Sequence, residues 1–385
     1  MGESSGGVWG EVASFLTESV AGVEDVVDAR WRSMKRRMGW NGVARVMPYA
    51  GYANDSRAWF HGRVLTNPPR DLPGEDDTWW QNLAAMYQRI ESDEVPGVDV
   101  AIDFGGKRHV VTSDEEGYVR LESAYHRAAD HHGLWTAAAM QIVGPSHIKH
   151  DSHVATARLM TPPAGAKLGV ISDVDDTILQ TDVVNLLAMA RHTFFGNART
   201  RKPLAGAAAL YRALQAGVGG GPPNPIWYVS SSPWNLFDLL VEFLDLNDIP
   251  LGPLLLRDFG LEQLASSSDH SHKAERAIEI LDAFPNLPFV LIGDSGQQDA
   301  ELYSGIAEQR GDQIGMILIR DVDPGVASLF DRNVQPSVER AAAAGVPMHL
   351  IESSVDAAEH LAAAGFLGEG VIAAIADDAE HEPPA

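Results

Sequence analysis

The sequence predicts an α/β protein: a parallel sheet with helices on both faces, preceded by an N-terminal helix and a small β-rich, sandwich-like domain. Three observations predict it. From residue 167 onward, short apolar runs alternate with stretches of helical length, as expected for strands buried between crossover helices. Between 43 and 162, apolar and polar residues alternate over short runs separated by Gly- and Asp-containing turns. Before residue 43, apolar residues recur at helical spacing. A chain of 385 residues is long enough for two or three domains, each with its own core.

The first helix is expected over 8–38, where Val8, Val12, Phe15, Leu16, Val20, Val23 and Val27 fall at roughly helical spacing. Its end turns basic: Arg30, Arg32, Lys35, Arg36 and Arg37 are interleaved with Trp31, Met34, Met38 and Trp40. Such a segment either packs on its own domain or lies against an anionic membrane surface. In the β-rich region, Val98, Val100, Ile102 and Phe104 alternate, Gly105-Gly106 supplies a hairpin turn, and the chain returns over 109–112. A second turn at 114–117 leads into 118–122, and further strands are expected over 134–143 and 153–160. A small antiparallel sandwich is the simplest assembly of these pieces. The acidic insert 70–94, with Trp79 and Trp80, has room for a short helix. The run Thr161-Pro162-Pro163-Ala164-Gly165 reads as a boundary.

Beyond it, strands are expected at 168–172, 226–230, 252–256, 289–293, 315–319 and 347–351. Helices are expected at 204–216, 233–246, 273–283, 299–308, 335–343 and 354–364, with Ser232 capping the second and Pro233 in its first turn. The acidic, Pro-containing end is expected to be disordered. The resulting division is a helical segment 1–42, a β-rich domain 43–162, an α/β domain 167–375 and a tail 376–385.

Composition narrows the function. Hydrophobic residues make up 45% and charged residues 21%, as in ordinary soluble domains. The absence of cysteine excludes disulfides, thiolate metal sites and a thiol nucleophile. No apolar run is long enough for a membrane-spanning helix, and the N-terminus lacks a signal-peptide pattern, so the cytoplasm is the expected compartment. A formal charge of -24 opposes nucleic-acid binding and repels anions at long range. Any phosphate site must therefore supply its own local cations. Arg199, Arg201 and Lys202 offer one such patch. Six of the 14 histidines fall between 126 and 153, but at spacings that fit no zinc signature, so they read as scattered surface residues.

Four pieces carry chemistry. The apolar strand Ile171-Ser172 ends in Asp173-Val174-Asp175-Asp176-Thr177. Carboxylates two apart on an extended strand face the same way, and they repel unless a cation sits between them. Mg2+ is the hard, oxygen-seeking ion that suits them. A second apolar strand ends in Gly293-Asp294-Ser295, where Asp294 can complete a metal site and Asp299 can orient it from the next helix. A third strand ends in Ser230-Ser231-Ser232, whose hydroxyl and N–H groups can hold phosphate oxygens. The fourth piece is Lys273, at a helix start, where an ammonium can neutralise a phosphoryl group.

Together these match the four motifs of the haloacid dehalogenase superfamily, and the chain more closely resembles the actin-patch-type phosphatidate phosphatase catalytic domains, which are related to the lipins. The resemblance rests on 172–178, Tyr-Val-Ser-Ser-Ser-Pro-Trp-Asn-Leu at 228–236, Gly-Pro-Leu-Leu-Leu-Arg-Asp-Phe-Gly at 252–260, His272-Lys273, 289–303 and Ile319-Arg320-Asp321. It implies that Asp173 is the nucleophile that forms an aspartyl-phosphate. It implies that Asp175 is the general acid and base, and that Asp173, Asp294 and the Asp175 carbonyl bind Mg2+. Ser230, Ser231 and Lys273 would bind phosphate, with Thr177 and Asp299 behind the metal ligands. The implied activity is a magnesium-dependent phosphatase acting on phosphatidate or a related lipid phosphate. A soluble phosphate ester or phosphoprotein substrate, or a non-catalytic membrane adaptor, are the alternatives. Neither 174–229 nor 258–272 is long enough for a large cap domain, so an open site is expected, with residues 30–40 as its peripheral membrane contact.

Overall fold

A computed structural model describes residues 42–66, 94–127, 133–174, 205–257, 269–295, 298–321 and 329–381. The expected N-terminal helix with its basic end, most of the acidic insert and the patch at Arg199, Arg201 and Lys202 lie outside the described residues, as does most of the stretch between Asp173 and Ser230. Residues 44–385 form one compact unit.

The β-rich part contains strands β1 (Arg45–Ala53), β2 (Arg57–Leu65), β3 (Asp99–Phe104), β4 (Lys107–Thr112), β5 (Tyr118–Ala124), β6 (Trp135–Gly144) and β7 (Ala155–Met160). They form one seven-stranded sheet in the order β4-β3-β6-β7-β1-β2-β5. All neighbours are antiparallel except β1 and β7. The expected hairpin is present, with positive φ at both Gly105 and Gly106, as a tight two-residue turn requires.

The expected sandwich is corrected. The edge strands approach each other, and Ser123 Oγ on β5 lies 3.1 Å from His109 Nε2 on β4. The sheet is therefore curled and nearly closed on itself. Phe60, Val64, Val100, Ile102, Met140, Ile142 and Leu159 fill a single interior. Curling lets one sheet bury its inner face without a second sheet, and it leaves few open edges. A bulge between Tyr49 and Tyr52 helps the bend. Gly51 sits there because a Cβ would lie 2.2 Å from the Trp59 carbonyl oxygen. Pro48, Gly51 and Gly62 interrupt the apolar alternation of β1 and β2, which is why neither strand stands out individually in the sequence.

The second sheet contains β8 (Gly169–Asp173), β9 (Ile226–Pro233), β10 (Leu254–Arg257), β11 (Phe289–Asp294), β12 (Ile314–Arg320) and β13 (Met348–Ile351). Its order is β10-β9-β8-β11-β12-β13, and every pair is parallel. Successive side chains of each strand enter opposite cores. Val170, Tyr228, Val290, Ile292, Met316 and Leu318 pack with helices α1 (Ala207–Ala216), α2 (Phe237–Leu246), α6 (Ser354–Ala363) and α7 (Ile372–His381). Ile171, Trp227, Val229, Leu291, Ile317 and Ile319 pack with α3 (Asp269–Ala283), α4 (Asp299–Arg310) and α5 (Leu329–Ala343). The outer face of the curled sheet joins these cores: Tyr49 stacks on Trp234 at 4.4 Å, and Tyr52 packs near Trp227 and Phe284.

Two expectations at element ends change. The helix expected from Pro233 starts at Phe237, because β9 continues through Pro233 and a 3-10 turn follows at Trp234–Leu236. Ser232 therefore does not cap it; its N–H donates instead to Ser230 Oγ at 2.9 Å. The tail expected from 376 is helical through His381 as part of α7. Ile375 is buried against the α/β core, and Asp378 pairs with Arg212 on α1 at 3.3 Å, so the acidic end has both an apolar face and a cationic partner. Among the described residues no helix is long and apolar enough to cross a membrane, which leaves β-barrels unaddressed.

Candidate active site

The strand order reverses between β8 and β11. In open parallel sheets, such a reversal opens a crevice beyond the carboxyl ends of the strands. β8 ends there with Asp173, and β11 ends beside it with Asp294, both fully buried. Asp299, at the start of α4, turns back beneath them, and its Oδ2 accepts the Asp294 N–H at 3.3 Å. That close approach needs glycine at 293. A Cβ there would lie 2.6 Å from Asp299 Oδ2 and 2.8 Å from the Tyr303 ring.

Lys273 reaches in from α3 with only 4% of its surface exposed. Its Nζ lies 2.8 Å from Asp173 Oδ1 and 3.0 Å from Asp299 Oδ1. Burial alone would push its pKa down, but Asp173 and Asp299 outweigh burial and hold it well above the ordinary lysine value. The ammonium therefore stays charged across the physiological range. Asp173, Asp294 and Asp299 each offer a carboxylate oxygen, and these oxygens all lie within 4.8 Å of one another. Among the described residues this is the only such cluster of His, Cys, Asp or Glu.

Three buried carboxylates against one ammonium leave a net negative site. A donor set made only of carboxylate oxygens fits a hard divalent cation of the Mg2+ type, and it lacks the nitrogen or sulfur donors favoured by zinc. The residues present therefore fit the expected metal. Ser230 lies at the carboxyl end of β9, one residue beyond Val229, the register partner of Asp173, and it is fully buried. Ser231 follows it and is half-buried. Asp173, Ser230, Lys273, Asp294 and Asp299 thus share one edge of the sheet. Asp175 and Thr177 lie outside the described residues.

Two tyrosines also serve this edge, and no sequence motif marks them. Ser172 Oγ donates to the Asp173 carbonyl at 2.6 Å and lies 2.5 Å from Tyr211 Oη on α1. The serine has a single hydroxyl hydrogen, so Tyr211 is the donor to Ser172. This chain fixes the backbone that carries Asp173. Tyr303 donates to the Ile292 carbonyl at 3.3 Å behind Asp294. Burial, with Asp299 and Asp173 nearby, pushes the Tyr303 phenol well up; burial does the same for Tyr211. Both stay neutral donors. Their signal was weak because each sits on a helix among ordinary core residues.

Residues 168–321 match the family described as phosphatidate phosphatase APP1, catalytic domain. This span holds both carboxylate-ended strands, the Ser230 strand and Lys273. The phosphatidate phosphatase APP1 of Saccharomyces cerevisiae is 34% identical over 158 residues, covering 40% of this chain and 26% of the yeast protein. An uncharacterized protein of Schizosaccharomyces pombe is 27% identical over 157 residues, covering 40% of this chain and 25% of its own length. The chain thus spans about a quarter of the length of these relatives. Among solved structures, a carbohydrate acetylesterase from Xanthomonas citri is similar at 13% identity, covering 87% of this chain and 75% of its own. Its TM-score is 0.33, a level at which the likeness carries no argument about fold or function.

Proposed function

We propose that this protein is a magnesium-dependent phosphatase of the haloacid-dehalogenase type that acts on phosphatidate or a related lipid phosphate through an aspartyl-phosphate at Asp173. The observation that carries the reading is the placement of Asp173. It is a buried carboxylate at a strand end, 2.8 Å from a buried ammonium and clustered with Asp294 and Asp299 at the switch point of a parallel sheet. The match of residues 168–321 to the phosphatidate phosphatase APP1 catalytic-domain family supports the substrate class.

In this reading a carboxylate oxygen of Asp173 attacks phosphorus, and the bond from phosphorus to the ester oxygen breaks. The leaving oxygen takes a proton from Asp175, and the freed alcohol departs. Water then attacks phosphorus, gives its proton back to Asp175, and releases phosphate with Asp173 restored. Lys273 balances charge on Asp173 and the transferring group, while Ser230 holds a phosphoryl oxygen. Asp299 keeps Lys273 in place, and the Tyr211–Ser172 chain keeps the Asp173 backbone from shifting. Mg2+, held by Asp173, Asp294 and the Asp175 carbonyl, would supply Lewis-acid stabilisation of the phosphoryl oxygens.

The test is a panel of phosphatidate, a soluble phosphate ester and a phosphopeptide, each assayed for phosphate release with and without lipid vesicles, in Mg2+ and in EDTA. The expected result is Mg2+-dependent release that is fastest for phosphatidate in vesicles. Equal rates on the soluble ester without lipid would remove the lipid assignment. No release from any member of the panel would favour a non-catalytic adaptor.

A further inference from the structure

A second polar cleft opens beside this site, between the curled sheet and the parallel sheet. Its volume is about 390 Å³, enough for a phosphate group with its attached head. One wall comes from β10 and α3, with Arg257 and Arg276. The other comes from the curled sheet, with His61, Tyr118 and Arg120, and Trp234 forms its floor. Arg257 ends β10, the edge strand two places from β8, so the cleft lies roughly 10 Å along the edge from Asp173 at the usual strand spacing. It shares no lining residue with the carboxylate cluster, although His272, next to Lys273 in the chain, lines it.

The cleft is rich in arginine, although Arg120 also pairs with Asp114 at 2.8 Å and Arg276 with Glu279. Three guanidinium groups line it against one lining carboxylate, that of Glu275, on a chain of net charge -24. The Arg276 Nε is buried and makes no hydrogen bond, although its Nη1 donates to Glu279 at 2.8 Å. A buried guanidinium N–H without an acceptor is costly, so an anion drawn against this guanidinium would offset part of that cost. The local field is visible in His61. Burial, then Arg120 and Arg276, hold its pKa down at about 4, so it adds a neutral ring to the wall and no competing proton equilibrium near pH 7. The aromatic side is rigid. Tyr49 stacks on Trp234, and the guanidinium groups of Arg63 and Arg120 lie 4.4 and 4.5 Å from the Tyr118 ring centroid. Tyr118 thus holds Arg120 in place at the wall.

We infer that the cleft between the two sheets is a second anion site that takes a phosphate group on Arg120, Arg257 and Arg276. The group is either free phosphate or the phosphate of a lipid head group at a membrane surface. Guanidinium forks match phosphate oxygens in pairs, and the aromatic floor suits the carbon part of a head group. The inference does not depend on Asp173 being a nucleophile, because it concerns binding alone.

The test uses the full-length chain in EDTA, so that turnover is suppressed and binding is read alone. Inorganic phosphate is titrated by calorimetry. Separately, co-sedimentation is measured with phosphatidylcholine vesicles carrying about a quarter phosphatidate. The variants are Arg276→Gln, Arg257→Gln and, as a charge-keeping control, Arg276→Lys; each is checked by thermal melting. Losing one charged hydrogen-bonding group should weaken phosphate binding about tenfold or more, with Arg276→Lys retaining part of it. Only the part of the binding that Arg276→Gln and Arg257→Gln remove is assigned to this cleft, since Lys273 and Ser230 belong to the other site. If phosphate fails to bind but the vesicles do, and Arg276→Gln releases them, the lipid head group is the source. If folded Arg276→Gln and Arg257→Gln match the wild type in both assays, or the wild type binds neither probe, the inference is overturned.

Discussion

Replacing Lys273 by methionine keeps the length of the side chain and removes its charge. In the wild type Nζ lies 2.8 Å from Asp173 and 3.0 Å from Asp299. At an effective dielectric constant of about 20, these contacts are worth about 6 and about 5.5 kcal/mol of gross attraction. Desolvating a lysine that is only 4% exposed offsets much of that. The cost of the substitution comes mainly from what it leaves behind: three buried carboxylates within 4.8 Å of one another and no ammonium. Breaking a buried ionic group in this way typically costs about 3–5 kcal/mol. For a unit of this size that corresponds to a Tm lower by roughly 4–7 °C in EDTA. The sign with pH follows from the raised Lys273 pKa. Its contribution is fully present below the ordinary lysine value and is lost only as pH rises through the higher folded value, so the difference between wild type and variant should be flat from pH 6 to 8. Adding Mg2+ should recover part of the loss, because a cation replaces the missing positive charge. Scanning calorimetry in EDTA and in Mg2+ reads all three effects. If the variant melts within 2 °C of wild type in EDTA, Lys273 is not what compensates the cluster.

Other consequences follow from single contacts. His61 is neutral in the folded protein down to about pH 4, whereas an exposed histidine protonates near 6.5, so the unfolded chain binds more protons in that window. Its contribution to stability is present above pH 6.5 and falls by roughly 3 kcal/mol toward pH 4. Urea midpoints should show a shallower pH dependence for His61→Gln than for wild type, and identical slopes would refute the burial argument. Gly293→Ala places a methyl group 2.6 Å from Asp299 Oδ2 and 2.7 Å from its Cβ. It should cost about 1–3 kcal/mol in denaturant and slow turnover about 100-fold through misplacement of Asp294 and Asp299. Ile375→Ala should cost about 2–4 kcal/mol, because Ile375 is 1% exposed and anchors α7; a cost near zero in urea melts would mean that the last helix does not pack there.

The parallel sheet was legible because its strands are buried on both faces and stand out as apolar runs. Ile171, Trp227 and Leu291 announce strands whichever helices cover them, and the chain order of the acid-ended runs already placed Asp173, Lys273 and Asp294 together. Local signals were weaker guides at element ends. Ser232-Pro233 reads as a cap and first turn, but pairing with β10 keeps those residues extended, and a tertiary contact overrides the local preference. The acidic composition after 376 hides an apolar face that matters only once Arg212 and the α/β core are beside it. Alternation alone cannot tell a two-sheet sandwich from one sheet curled on itself, since both bury every second side chain. The Tyr211–Ser172 contact joins residues 39 apart and leaves no local pattern.

The central claim is that Asp173 becomes covalently phosphorylated during turnover. The direct measurement is rapid acid quench of the enzyme mixed with radiolabelled phosphatidate in Mg2+, followed by peptide mapping of the protein-bound label. The account predicts acid-stable, base-labile label on the peptide containing Asp173, at a level that rises and decays with turnover. It also predicts that Asp173→Asn carries no label and releases phosphate roughly 10⁴-fold more slowly or less. Turnover by wild type without label on that peptide, together with near-normal phosphate release by a folded Asp173→Asn, would contradict it.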